Sequence, residues 1–336
     1  MLYSQQELVP ALSFREFLRF FLHVQAMPAL AAGEETLVGG QAVLEGVMMR
    51  APHSYCVAVR RPGGEIVTDR KPLPKVSDRY PIFKLPVFRG VGTLGQAMAL
   101  GIRALRFSAN AALAEGQREN APKEIPAWAL ALNLALSLAF FVFLYKFVPL
   151  YLATALGKWS GVFKGRIAFN LADGVIRVAI FVGFLWLISR MKDIRRVFEY
   201  HGAEHRVVFN FESGKPVTVE QAQKFSTLHP RCGTSFLLVV MIVSIAVYAL
   251  LPFDSFLLKL AGRIALLPVV AGLSYEVVRF AAKRRKSLVA VMTAPGLWLQ
   301  RITTKPPSDD QTAVAIHALE GAMELEKAQG GEAVIA

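Results

Sequence analysis

The chain has 336 residues, 54% of them hydrophobic, with a mean hydropathy of +0.41, a formal net charge of +13 and 19% charged residues. A water-soluble chain of this length would carry about 25% charge and less apolar content, so the apolar excess is expected to face something other than water. Its two cysteines, Cys56 and Cys232, exclude a disulfide framework.

In chain order, residues 1–35 place Phe14, Phe17, Leu18, Phe21 and Leu22 on one helical face, with Arg15 and Arg19 off it. That pattern predicts an amphipathic N-terminal helix, interfacial or packed on the rest of the protein. No cationic region leads into an apolar run and a cleavage site, so no cleaved signal peptide is expected. Residues 36–85 predict a small cytoplasmic β-rich unit, in which "YCVAVRRPGGEIVTDRKPL" reads as two β-prone runs joined at Pro62-Gly63-Gly64. Just before it, "GGQAVLEGVMMR" (Gly39–Arg50) brackets Gln41 and Glu45 with glycines, a signal of tight turns or close backbone approach. Residues 86–126 read as a glycine-bearing interfacial helix and linker. Gly90, Gly92 and Gly95 spell G-x-G-x-x-G, but a dinucleotide site also needs a βαβ unit and an acidic residue ending its second strand. Glu115 is at about that distance, yet it sits in the polar run "AEGQREN" with no second strand.

No charge interrupts Ala127–Tyr145 or Gly233–Phe253. At 1.5 Å per residue each is about long enough to cross the roughly 30 Å apolar core of a bilayer. Phe169–Ser189 holds Asp173 and Arg177; Phe256–Ala282 holds Lys259, Arg263, Glu276 and Arg279. These two could be soluble core helices, but their length and lack of a polar stripe favour membrane spans. Asp173 and Arg177 stand one turn apart and can pair, which lowers the cost of each charge in lipid. Lys259, Arg263 and Arg279, near span ends, are expected to snorkel towards headgroups. Glu276 admits a structural or a functional role. The fold class expected is a mainly α, polytopic membrane protein with about four transmembrane helices (residues 127–189 and 233–282), a small N-terminal β-rich unit and interfacial or re-entrant helices.

Three Lys and Arg fall in residues 147–168, eight between Arg190 and Arg231, and "KRRK" follows at Lys283–Lys286. The positive-inside rule then sets both termini and the 190–232 loop in the cytoplasm. The net charge follows from that geometry and from attraction to anionic lipid, so no nucleic-acid partner is expected. Residues 283–336 form the tail: the basic run, a re-entrant or interface-bound segment with Trp298 at headgroup level, a helix over 309–327 with an acidic start, and a disordered end.

The 190–232 loop concentrates the chemistry. Between His201 and Cys232 lie three of the chain's six histidines and one of its two cysteines. "MKDIRRVFEYHGAEHRVVFNFE" predicts a helix whose apolar stripe continues through His201 and His205, four apart, with Glu204 on the same side. This is H-x-x-E-H, in which the histidines hold zinc and the glutamate takes a proton from bound water. Thr218 with Gln221 signals a capped helix over 219–226. His229, before Pro230, is biased to extended backbone, and Cys232 follows three later. A helical His pair with a loop His/Cys pair is a recognisable way to assemble a zinc site. Glu212 could add an oxygen ligand or hold a histidine from outside the first sphere. A metal-free polar core is the alternative reading. With metal, four ligands (His201, His205, His229, Cys232) would close a structural tetrahedron. Three ligands and a water, with Glu204 as catalytic base, would make a hydrolytic site. Histidine with cysteine favours Zn2+, though iron, cobalt and nickel accept the same donors.

"GGQAVLEGVMMR", "YHGAEH" and "HPRCGTSF", in that order with spans around the last two, resemble the YqhQ-like family of bacterial membrane proteins over roughly residues 36–310. That family is a domain of unknown function, sometimes labelled a metal-dependent enzyme. The resemblance implies a multi-pass protein of the bacterial inner membrane and makes the first motif a functional segment. It carries metal chemistry onto His201, Glu204, His205, His229 and Cys232, with Gln41, Glu45 and Arg50 as candidates for substrate contact. The expectation is a zinc-dependent hydrolase or transferase acting on a lipid-linked or membrane-proximal substrate. The alternatives are a scaffold with a structural metal and a small transporter using Asp173, Arg177 and Glu276. The oligomeric state is not readable from the sequence.

Overall fold

A computed structural model describes residues 38–74, 76–113, 127–229, 232–283 and 289–329. The helix expected over 1–35 and most of the "KRRK" run lie outside them. Four strands, β1 (Gly39–Val43), β2 (Gly46–Arg50), β3 (Ser54–Arg60) and β4 (Ile66–Pro72), form an antiparallel meander in that order. After a single helical turn at Val76–Arg79, the α-helices of five or more residues in chain order are α1 (Phe88–Leu113), α2 (Ala127–Val142), α3 (Val148–Trp159), α4 (Arg166–Ile188), α5 (Lys192–Glu212), α6 (Val219–Gln223), α7 (Gly233–Ala249), α8 (Phe256–Ala265), α9 (Leu267–Lys283), α10 (Val289–Thr303) and α11 (Asp309–Ala328).

The hairpin expected at Pro62-Gly63-Gly64 joins β3 to β4, with Gly64 at φ 91. "GGQAVLEGVMMR" is itself a hairpin, β1–β2, turning at Glu45 with φ 52. Its strands show little polar alternation because both sides of the sheet are covered. Val43, Met48, Tyr55, Val57 and Val59 pack under Leu100, Ala104 and Ala111 of α1. Val47, Met49, Cys56 and Ala58 pack on the other side, against α5 and α11. Burial pushes the Cys56 thiol up to about 12, so it serves as a small apolar filler.

α2 and α3 run as one apolar rod. Pro149 has no N–H for the Tyr145 carbonyl, and the turn before it, Phe143–Phe147, widens to a π-helix. Ala131–Trp159 (29 residues) and α4 (23 residues) are long and apolar enough to cross a membrane, and Leu132, Leu136 and Phe140 face outward. α8 and α9 make a third candidate only as a pair bent by 51°, with Pro268 just past the break. α7 is apolar but has 17 residues and rises only about 25 Å. Among the described residues, two or three helices therefore have the length of a span, fewer than the four the sequence suggested. The charge-free run from Gly233 is shortened because its helix ends at Ala249, ahead of Pro252.

Asp173 and Arg177 pair inside the helical unit as expected. Arg263 does not snorkel: it is 1% exposed, and its Nη1 donates to Asp173 Oδ1 at 2.6 Å. Its place on the inner side of α8 gives it a carboxylate partner and Asn170 Oδ1 at 3.0 Å. Glu276 stands apart in an ion pair with Arg89 of α1 and accepts the Val87 N–H at 3.3 Å. There α1 and α9 nearly touch, since a Cβ on Gly90 would come 3.0 Å from Gly272 Cα. The G-x-G-x-x-G thus lies inside α1, where its first glycine serves helix crossing.

Candidate metal centre

α5 starts after Met191, and Ile194, Val197 and Phe198 share the side that carries His201 and His205. Both imidazoles are held the same way. Nδ1 of His201 donates to the Thr303 carbonyl (2.8 Å), and Nδ1 of His205 donates to the Thr227 carbonyl (2.5 Å). A carbonyl can only accept, so both rings carry a proton on Nδ1, and the neutral form of each keeps its lone pair on Nε2. Nε2 of His201 lies 3.3 Å from Cys232 Sγ. The donor atoms of His201, His205 and Cys232 all lie within 4.8 Å of one another. Cys232 sits at the N-cap of α7 and is steadied by Thr234 Oγ1 at 3.2 Å.

Glu204 lies outside that trio but beside it. One of its carboxylate oxygens is 3.8 Å from His201 Nε2 and 3.7 Å from His205 Nε2. β1 covers it closely: a Cβ on Gly40 would come 2.7 Å from Glu204 Cγ. The His201 anchor depends on a second glycine. A Cβ on Gly202 would run into the Lys305 carbonyl, and where it is absent the 303–305 backbone lies flat on α5, with Lys305 N–H donating to the Phe198 carbonyl at 2.9 Å.

His229, the fourth predicted ligand, lies outside the trio. Its Nε2 is 3.5 Å from Glu212 Oε2, and its ring meets Phe209 edge-on with centroids 4.4 Å apart. Burial pushes its imidazole down to about 4, against the pull of the Glu204 carboxylate, so the ring is neutral at physiological pH. Its backbone is clamped by Gln300, whose Oε1 accepts the His229 N–H at 2.7 Å and whose Nε2 donates to the His229 carbonyl at 2.8 Å. Glu212 thus stands next to a histidine.

A pocket of 300 Å3 opens on the trio, lined also by Val38, Gly39, Gly40, Arg50 and His229. "GGQAVLEGVMMR" therefore folds over the cluster, but its side chains divide. Arg50 lines the pocket half-buried, and burial lowers its pKa. Gln41 points to the other side of the sheet, against Gly101 of α1. Glu45 pairs with Arg196 and accepts the Tyr200 hydroxyl at 3.4 Å, which ties the hairpin turn to α5. Among the described residues, neither Gln41 nor Glu45 lines this pocket, because strand alternation and the hairpin turn aim them elsewhere. Sequence reasoning missed Thr227, Thr303 and Gln300. The first two act through carbonyls, which leave no mark in a sequence, and only the glycine after His201 hinted at a backbone passing close by.

A family model described as a protein of unknown function (DUF1385) matches residues 85–325. The uncharacterized protein YqhQ of Bacillus subtilis (strain 168) is 36% identical over 300 residues, covering 86% of this chain and 92% of that protein. No solved structure matches the chain.

Proposed function

The chain belongs to the DUF1385 family, and from that premise we propose that it is a multi-pass membrane protein whose His201, His205 and Cys232 bind zinc for a hydrolytic or group-transfer reaction. The observation that carries the reading is the shared anchoring of the two histidines. Each Nδ1–H is committed to a backbone carbonyl, so both Nε2 lone pairs turn towards one point beside Cys232 Sγ. Outer hydrogen bonds of this kind fix the tautomer and orientation of metal-binding imidazoles. Zinc on such donors supplies a Lewis acid that makes water more acidic. Glu204, next to both Nε2 atoms yet outside the trio, is placed to accept the proton. Arg50 offers a fixed positive charge to an anionic group of the substrate. The bilayer places that substrate: lipid-linked or membrane-proximal, reached from the cytoplasmic face that the basic 190–232 loop favours. In this reading α7 and the bent α8–α9 pair complete four spans of a bacterial inner-membrane protein.

A second reading rests on His229. Closure of the sphere by its imidazole would leave no position for water and make the metal a structural tie. Elemental analysis of the detergent-purified protein decides between them. About one zinc per chain, lost in His201→Ala, His205→Ala and Cys232→Ser but kept in Glu204→Gln and His229→Ala, supports the hydrolytic site. Equal loss in His229→Ala supports the structural one. No zinc in the wild type after growth with added zinc overturns both. In cobalt-substituted protein, the pH titration of the visible bands should shift in Glu204→Gln, which a purely structural glutamate would not produce.

A further inference from the structure

At the opposite end of the apolar helices lies a cavity of 430 Å3. α7 begins at the metal cluster and ends at Ala249; the residues that follow it, Leu251, Phe253 and Asp254, line this cavity. Cluster and cavity are therefore separated by the length of α7, about 25 Å. The charge lining is lopsided. Lys158, Arg166, Lys259 and Arg263 face Asp254, the single lining carboxylate among the described residues. Behind the wall the imbalance continues. Lys146 Nζ and the guanidiniums of Arg177 and Arg263 gather 5.0, 5.2 and 5.1 Å from the Tyr248 ring centre, and Asp173 serves both arginines. Two permanent guanidinium charges on one carboxylate leave a positive excess in an apolar surrounding, where an uncompensated charge is costly. An anion in the cavity would supply the missing charge.

The rim narrows the choice of anion. Trp159, Val162, Ile167, Leu250 and Leu257, each next to or near a lining residue in sequence, are 72–87% exposed. Exposed apolar side chains on the elements that carry a cationic hollow suit a charged head with an apolar body. Tyr248, Asn170 and Thr154 also line the cavity, but they already donate to the Arg263, Arg166 and Leu150 carbonyls, so the four cations are the groups an anion would meet. We propose that this cavity binds a phosphate-bearing anion, supplied either by an acidic phospholipid headgroup in the leaflet away from the metal cluster or by free phosphate.

The test uses the full chain in detergent micelles, with binding read by calorimetry for dioctanoyl phosphatidylglycerol, dioctanoyl phosphatidylcholine and inorganic phosphate. The variant is Lys158→Gln/Arg166→Gln/Lys259→Gln, at exposed or half-buried positions that leave the Asp173 network intact. Its zinc content, compared with the wild type, reports folding at the other end of the molecule. The proposal expects phosphatidylglycerol to bind at least about tenfold more tightly than phosphatidylcholine, with that preference lost in the variant, because exposed cations each contribute a modest attraction. If inorganic phosphate binds and displaces the lipid, the source is soluble; if only the lipid binds, it is the membrane. Equal binding of the two lipids without phosphate binding, or unchanged affinity in the variant, overturns the proposal.

Discussion

Replacing Gly202 with alanine sets two rules against each other. Helix propensity alone makes Gly→Ala inside α5 stabilising by about 0.5–1 kcal/mol. The packing says the reverse. The new Cβ would overlap the Lys305 carbonyl and come within 3.3 Å of Thr227 Cγ2, and these are backbone and neighbouring atoms with little room to yield. Forcing one carbon into such a contact costs about 1–3 kcal/mol. Lifting the 303–305 strand also strains two hydrogen bonds, from Lys305 N–H to Phe198 and from His201 Nδ1 to Thr303, each worth about 1 kcal/mol. After subtracting the propensity gain, a net loss of about 1–4 kcal/mol remains. Thermal unfolding in detergent should show it as a lower Tm. Because the lost anchor orients His201, zinc affinity should also fall by about 10–100-fold, the usual effect of removing an outer-sphere partner. Gly95→Ala in α1, where a Cβ meets nothing within 4 Å, is the control and should stabilise. A Gly202→Ala protein with raised Tm and unchanged zinc affinity would refute the close-approach argument.

Gln300→Leu removes both clamps on the His229 backbone, two fully buried hydrogen bonds, and should lower stability by about 2–4 kcal/mol; a Tm within a degree of wild type would contradict this. Asp173→Asn takes the charge from the one carboxylate that serves Arg177 and Arg263, and losing a buried partner costs about 3–5 kcal/mol. The double variant Asp173→Asn/Arg263→Gln should recover part of that loss in the same melting assay. Glu326 of α11 gives a pH dependence. Burial alone would raise its carboxyl, but hydrogen bonds from the His53 side chain, the His53 N–H and Ser54 hold it below its ordinary 4.5. A depressed carboxylate contributes its full stability above the ordinary value and loses it as pH falls through the folded one. Protection factors of the α11 amides, corrected for the intrinsic pH dependence of exchange, should therefore fall on acidification below about pH 4.5, and less so in Glu326→Gln; equal profiles would remove the carboxylate from the account.

The local parts of the site could be read in advance. Periodicity places His201, Glu204 and His205 together on α5, and Thr218 caps α6 through the Gln221 N–H as its spacing suggests. Asp173 and Arg177 meet because four residues make one turn. Long-range partners were hidden. Arg263 stands near the end of an apolar run, and nothing local says that a carboxylate 90 residues earlier waits beside it. The β1–β2 hairpin escaped notice because a sheet buried on both sides has no polar face to mark its period. Glycines in "GGQAVLEGVMMR" did announce close contact, yet not that the contact is Glu204. The surroundings of His229 draw on Glu212, Phe209 and Gln300 together, three residues spread over 92 positions.

The sheet and the helix that covers it lie far apart in the sequence. Ser54 on β3 hydrogen-bonds to Glu326 on α11, 272 residues later. At equilibrium such a span is inexpensive, because loop-closure entropy grows only logarithmically with length. On the ribosome it matters more. At roughly 5–20 residues per second, α11 emerges on the order of 10–60 s after the strand it must cover. During that interval the apolar helices can already be packing together, while Val47, Met49 and Ala58 wait without their lid. Biogenesis would thus finish in the reverse of chain order, with the first strands sealed last. A message cut short before α11 would yield apolar helices that carry an unsealed sheet, a natural substrate for quality-control proteases.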